Sequence, residues 1–204
     1  VVRHSRSPRS HCAVWFVILV VPALTVPCGS SSRLCPQYAA IASTVASGDA
    51  VARAAIDAAA GSADHDEVLE TNRTVQEEEM MVLEAIFGDG FVRDEEAEEA
   101  AGAADGGGGG SSYVLVVLGE TSSNAELQVK LHVCYAPEYP SHLPPKCAIV
   151  EGIDDAEEAT FVVDSLRALF YEERAVTAAE GEPAEGVVHK WSEWVRDEWI
   201  SMQK

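Results

Sequence analysis

The chain is 204 residues long and 47% hydrophobic, enough for one ordinary core with tails, and it carries a formal net charge of −20. The charge is lopsided: residues 66–204 hold 31 of the 34 Asp and Glu but nine of the 14 Lys and Arg, while residues 1–65 are weakly basic. So acidic a body repels phosphate backbones and anionic lipid, which argues against nucleic-acid and membrane binding and favours protein partners with basic surfaces.

Residues 1–38 read as a leader-like segment. Arg3, Arg6 and Arg9 precede an apolar run at 13–26, AVWFVILVVPALTV, and Cys28, Gly29 and Ser30 follow it, the layout of a secretory signal. The run is shorter than the ~20 residues of a membrane-spanning helix and is broken by Pro22. The sequence opens on Val1 and reaches its first Met at position 80, so an incomplete start or a translated leader competes with a working signal; the cytoplasm is the expected compartment. Residues 39–71, rich in Ala, Ser, Gly and Asp, read as a linker, because a weak helix around Ala50 to Ala60 has only Val51 and Ile56 as sizeable anchors. Asn72, Arg73 and Thr74 match a glycosylation sequon that carries meaning only in a secreted chain.

The foldable part spans 72–201. Thr74 with Glu77 reads as a capping box, and Met80, Leu83, Ile86 and Phe87 recur at helical spacing before Gly88 and Gly90. Glu77, Glu78 and Glu79 are expected in the first turn of that helix, facing solvent. Phe91 and Val92 begin a short strand. An acidic and glycine-rich stretch at 93–112 follows; it has too little apolar area to offset its ordering entropy and reads as a disordered insertion. Its glycines lack the GK[ST] of a phosphate loop.

Tyr113 to Leu118 is continuously apolar, as in a strand buried on both faces. Leu127, Val129, Leu131, Val133 and Tyr135 alternate with Gln128, Lys130, His132 and Cys134, which predicts a strand with one buried face. Between this strand and the next, Lys146 to Glu151, lies EYPSHLPP. Its prolines fix φ and push their predecessors towards extended geometry, so Tyr139, Pro140, Pro144 and Pro145 make a stiff corner beneath which the tyrosine ring can pack. The connections are too short for crossover helices, so the sheet of three to four strands is antiparallel. Asp154 or Asp155 caps a second helix with Ala159, Val162, Val163, Leu166, Leu169 and Phe170 on its apolar face, and a last helix bears Val188, Trp191, Trp194, Val195 and Trp199, of which Trp191 and Val195 are expected in the core and Trp194 and Trp199 as partly exposed interface anchors. The fold class is α+β, with the order α-β-β-β-β-α-α.

Chemistry is sparse. Five cysteines, at 12, 28, 35, 134 and 147, show no CxxC spacing and no His cluster, so no metal site and no disulfide framework is read, and no cofactor or small-molecule substrate is expected. Cys134 and Cys147 fall in predicted strands, where a reduced thiol behaves as a small apolar side chain.

The opening helix EEMMVLEAIFGDGF, the YPxxxPP corner and the closing GEPAEGVVHKWSEWVRDEW, in that order, resemble the RWD domain over about residues 72–200. The long insertion at 93–112 departs from the family pattern. The resemblance implies a non-catalytic relative of the ubiquitin-conjugating fold, acting as a protein-interaction module. In family members it implies adaptor roles in translation-stress kinase regulation or in ubiquitin-ligase recruitment. The conjugating enzymes carry an HPN tripeptide and a Cys downstream of the corner; neither follows Cys147 here. The chain is therefore not expected to be an enzyme, the rival readings being a conjugating-like transferase using Cys147 or Cys134 and a secreted or membrane-tethered adaptor. Glu77, Glu78, Glu79 and Glu84, with Glu193, Trp194 and Arg196 on the last helix, are the candidate protein-binding residues.

Overall fold

The computed structural model describes residues 36–59, 63–94 and 111–204. Most of the leader-like segment and of the insertion at 93–112 lies outside the described residues. Two helices, α1 (Pro36–Ala59) and α2 (Ala63–Phe87), precede a 3₁₀ turn at Gly88–Gly90 and four strands: β1 (Phe91–Arg93), β2 (Ser112–Glu120), β3 (Glu126–Cys134) and β4 (Lys146–Glu151). Helices α3 (Ala156–Glu180) and α4 (Val188–Trp194) follow, and α4 runs on into a wide π-type turn over Val195–Ile200. The sheet is antiparallel throughout, in the order β1-β2-β3-β4.

The period-2 pattern of β3 sets the sheet's inner face. Val129, Leu131 and Val133 are buried and pair with Val117, Leu115 and Tyr113 of β2, so both strands direct the same alternate positions inward. Onto that face pack Met80 and Leu83 of α2, Val162, Leu166 and Phe170 of α3, and Trp191 of α4, giving one contiguous core. Asp155 caps α3, its carboxylate accepting from the Glu158 N–H at 2.8 Å.

Four expectations are corrected. Strand β2 is not buried on both faces: Val114 and Val116 are half-buried and Leu118 is exposed, because nothing among the described residues stacks on the outer side of the sheet there. Helix α2 starts at Ala63, so Thr74 lies within it and its hydroxyl donates back to the Glu70 carbonyl (3.2 Å) instead of capping an end. Trp199 is buried, not an exposed anchor, since the π-type turn rolls it inward with Val195 and Ile200. The stretch read as a linker is mostly helix, and α1 docks on α3.

That docking uses small residues and polar ties. Val45 and Ala52 are the buried apolar positions of α1, and Gly48 lies under the Tyr171 ring: a Cβ there would come within 2.3 Å of the ring's Cγ. Asp49 accepts a short hydrogen bond from the Tyr171 hydroxyl and pairs with Arg167 at 2.6 Å. An Ala-rich helix thus gains its hold by close approach, where a wide apolar stripe would hold it at a distance.

Candidate functional site

Tyr139, Pro140, Pro144 and Pro145 are all buried, and the Tyr139–Pro140 peptide bond is cis. A corner so folded strands its own carbonyl groups, and helices on both sides satisfy them. From α2, Asn72 donates to the Pro137 carbonyl (2.9 Å), and Gln76 donates to those of Ala136 (2.9 Å) and Tyr139 (2.7 Å). From α3, Arg174 donates to the Ser141 carbonyl at 3.0 Å. Asn72 also accepts from the Ser141 hydroxyl and is 1% exposed, so the sequon asparagine is spent inside the fold.

Beneath the corner lies a buried carboxylate. Glu79 Oε2 accepts from the hydroxyls of Tyr135 (2.6 Å) and Tyr139 (2.7 Å), and Oε1 accepts from the Val188 N–H (2.7 Å). The Tyr139 hydroxyl in turn accepts from the Val187 N–H at 2.8 Å, and Tyr113 donates to the Tyr135 hydroxyl at 2.8 Å. One side chain of α2 therefore ties Tyr135, just past the end of β3, the corner and the first turn of α4. Burial raises the Glu79 carboxyl above its ordinary value, against the three donors that favour the charged form. Burial likewise pushes the phenols of Tyr113, Tyr135 and Tyr139 up, so they remain neutral donors. Gly186 is required beside this group, as a Cβ there would sit 2.4 Å from the Glu79 Cδ. Rings at spacings of 4.8–6.2 Å run on from here in a chain, Phe91 to Tyr113 to Tyr135 to Tyr139 to Phe170.

Glu79 is accordingly removed from the set of surface candidates. Helical phase explains it: Asn72, Gln76, Glu79 and Leu83 share the inward side of α2, whereas Glu77, Glu78 and Glu84 face solvent. Glu77 lies 3.8 Å from Arg73, and Glu84 pairs with Arg93 at 3.1 Å. At the other candidate surface, Trp194 is half-buried against the core, Glu193 stands 3.8 Å from His189, and Arg196 is exposed and pairs with Asp197. The α2 and α4 candidates occupy separate helices, and no hydrogen bond or ion pair joins the two sets.

The family model of the RWD domain matches residues 74–199, more than half of the chain. The chain belongs to the RWD domain family. RWD domains are protein-interaction modules and non-catalytic relatives of the ubiquitin-conjugating fold, so the coarse role of this one is to bind other proteins. Comparison with curated proteins finds no match.

Of the two cysteines in this RWD domain, Cys147 is placed unfavourably for chemistry. Cys147 faces the core from β4, and burial pushes it up to about 12, which leaves almost no thiolate at neutral pH. Cys134 is half-buried on the sheet's opposite side. Among the described residues no group of three or more His, Cys, Asp or Glu is arranged to hold a metal ion, and no helix is long and apolar enough to cross a membrane.

Proposed function

We propose that this RWD domain is a non-catalytic adaptor that recruits proteins with basic surfaces, working in translation-stress kinase regulation or in ubiquitin-ligase recruitment, in the cytoplasm. The observation that carries the reading is the solvent face of α2, where Glu77, Glu78 and Glu84 are exposed on a helix otherwise anchored by Glu79, Gln76 and Asn72. A rigid helix with a negative outer face gives a partner a fixed register and long-range attraction. The reading gains support from the desolvated Cys147 thiol, a poor acceptor for a thioester, and from the buried Asn72, which a glycosylating enzyme cannot reach in the folded chain.

Affinity purification with the intact chain and with a Glu77→Lys/Glu78→Lys/Glu84→Lys variant, followed by mass spectrometry, tests the proposal. Partners lost on charge reversal support it; a translation-stress activator among them assigns the first role, and ubiquitin machinery the second. Incubation with activating enzyme, ubiquitin and ATP tests the transferase alternative: a reducible adduct lost on Cys147→Ser or Cys134→Ser overturns the non-catalytic reading.

A further inference from the structure

The acidic face of α2 is also apolar. Met81, Val82 and Ile86 are 60%, 52% and 52% exposed, a large outlay of hydrophobic area on one short stretch of helix. At 100° per residue, Met81, Ala85, Val82 and Ile86 fall in one stripe covering the flank of α2 next to its buried side, with Glu78 inside it and Glu77 and Glu84 along its far edge. The stripe runs about 12 Å along the axis. The basic residues bordering it, Arg73 and Arg93, are already engaged with Glu70, Glu77 and Glu84. Glu78 has no cation partner among the described residues. The outer side of the sheet also exposes Val92, Leu118 and Val150, but it carries Lys130 and Lys146 beside Glu120, Glu126 and Glu151, a mixture of signs that selects no one partner.

We propose that this stripe is the docking site for a basic amphipathic helix of a partner protein, whose apolar side chains at i, i+3 and i+7 lie over Met81, Val82 and Ile86 while its Lys or Arg reaches Glu78 and the Glu77–Glu84 edge. The proposal rests on the interaction reading above and names the surface and the partner's chemistry. Apolar contact alone fits many occupants; the charge decides. An acidic or neutral helix would leave Glu78 desolvated without a cation, whereas a basic helix neutralises it as the apolar faces close. Rim charge sets the attraction and the salt dependence, and the apolar side chains set the residence time.

The test uses the full chain and a synthetic 18-residue peptide with Leu at i, i+3, i+4 and i+7 and Lys or Arg on the flanks. Controls are a scrambled peptide of equal composition and a version with Glu in place of the basic residues. Binding is read by fluorescence anisotropy at low and high salt and mapped by ¹H–¹⁵N chemical-shift changes. Expected are shifts centred on residues 75–90, about tenfold weaker binding by Met81→Ser/Ile86→Ser and by Glu78→Lys, and weaker binding of both control peptides. Circular dichroism of the variants keeps folding separate from binding, since the mutated positions face solvent. Shifts centred elsewhere, unchanged affinity in folded variants, equal binding of the scrambled peptide, or self-association through α2 seen by ultracentrifugation each overturn the proposal. If the α2 variants are silent while partners captured by the chain are lost on Glu193→Lys or Trp194→Ala, this docking site fails and the broader adaptor reading stands.

Discussion

Glu79→Ala is the sharpest perturbation of this fold. It deletes the acceptor of three buried donors, the hydroxyls of Tyr135 and Tyr139 and the Val188 N–H. An unsatisfied buried donor costs about 1–3 kcal/mol, and rotation of the two phenols or entry of water recovers part of it, so a net loss of about 3–5 kcal/mol follows. Against the ~5–15 kcal/mol of a typical domain that is a large share. Glu79→Gln keeps the shape and one acceptor, and the phenols can turn to accept from its amide; only the Val188 or the phenol side is mismatched, and about 1–2 kcal/mol is lost. The assay is urea unfolding at pH 7, followed by tryptophan fluorescence, with the m-value checked for constancy. A Glu79→Ala midpoint equivalent to less than about 0.5 kcal/mol would refute the reasoning, since that is the range of an ordinary surface substitution. The pH dependence has a definite sign. Burial raises this carboxyl in the folded state above 4.5, so the folded chain holds more protons than the unfolded one from about there up to the folded value. The contribution from this group is therefore fully present below that window and lost as pH rises through it, and Glu79→Gln removes that slope.

Gly48→Ala forces a Cβ into the Tyr171 ring and is expected to cost about 1–3 kcal/mol, with faster proteolytic cleavage within 36–59 as the first sign that α1 has lifted. Asn72→Ala strips the Pro137 carbonyl of its donor and the Ser141 hydroxyl of its acceptor, and a fall of about 1–3 kcal/mol in urea unfolding is expected. Cys147 is held protonated near neutrality, so iodoacetamide at pH 7.5 should leave it unmodified in the folded chain and alkylate it in urea, as peptide mass mapping will show.

Much of the sheet is legible in the sequence, because the alternation from Leu127 to Tyr135 and the proline corner are local signals that tertiary structure had no reason to override. The family resemblance rests on that corner together with the opening helix EEMMVLEAIFGDGF and the closing GEPAEGVVHKWSEWVRDEW. Helix α1 was hidden because its contacts come from Gly48, Ala52 and Asp49, residue types whose composition reads as a linker; only the partner helix reveals their use. The continuous apolar run of β2 overstates its burial, since its outer residues have no second layer above them. Among three consecutive glutamates, composition cannot single out Glu79. The phase of Gln76 and Leu83 does point inward at it, and the two tyrosine donors that make its burial tolerable are more than fifty residues away.

Asn72 lies just outside the stretch that the family model matches, and so does the whole of α1. Anyone who trims this molecule to residues 74–199 thus discards a fastener of the proline bend and strips the cover from Tyr171 at the same time. Such a fragment would misreport the parent's solubility and partner selectivity, because the newly bared surfaces would compete with the native ones. A piece that keeps both of these ties begins no later than Pro36, where α1 starts.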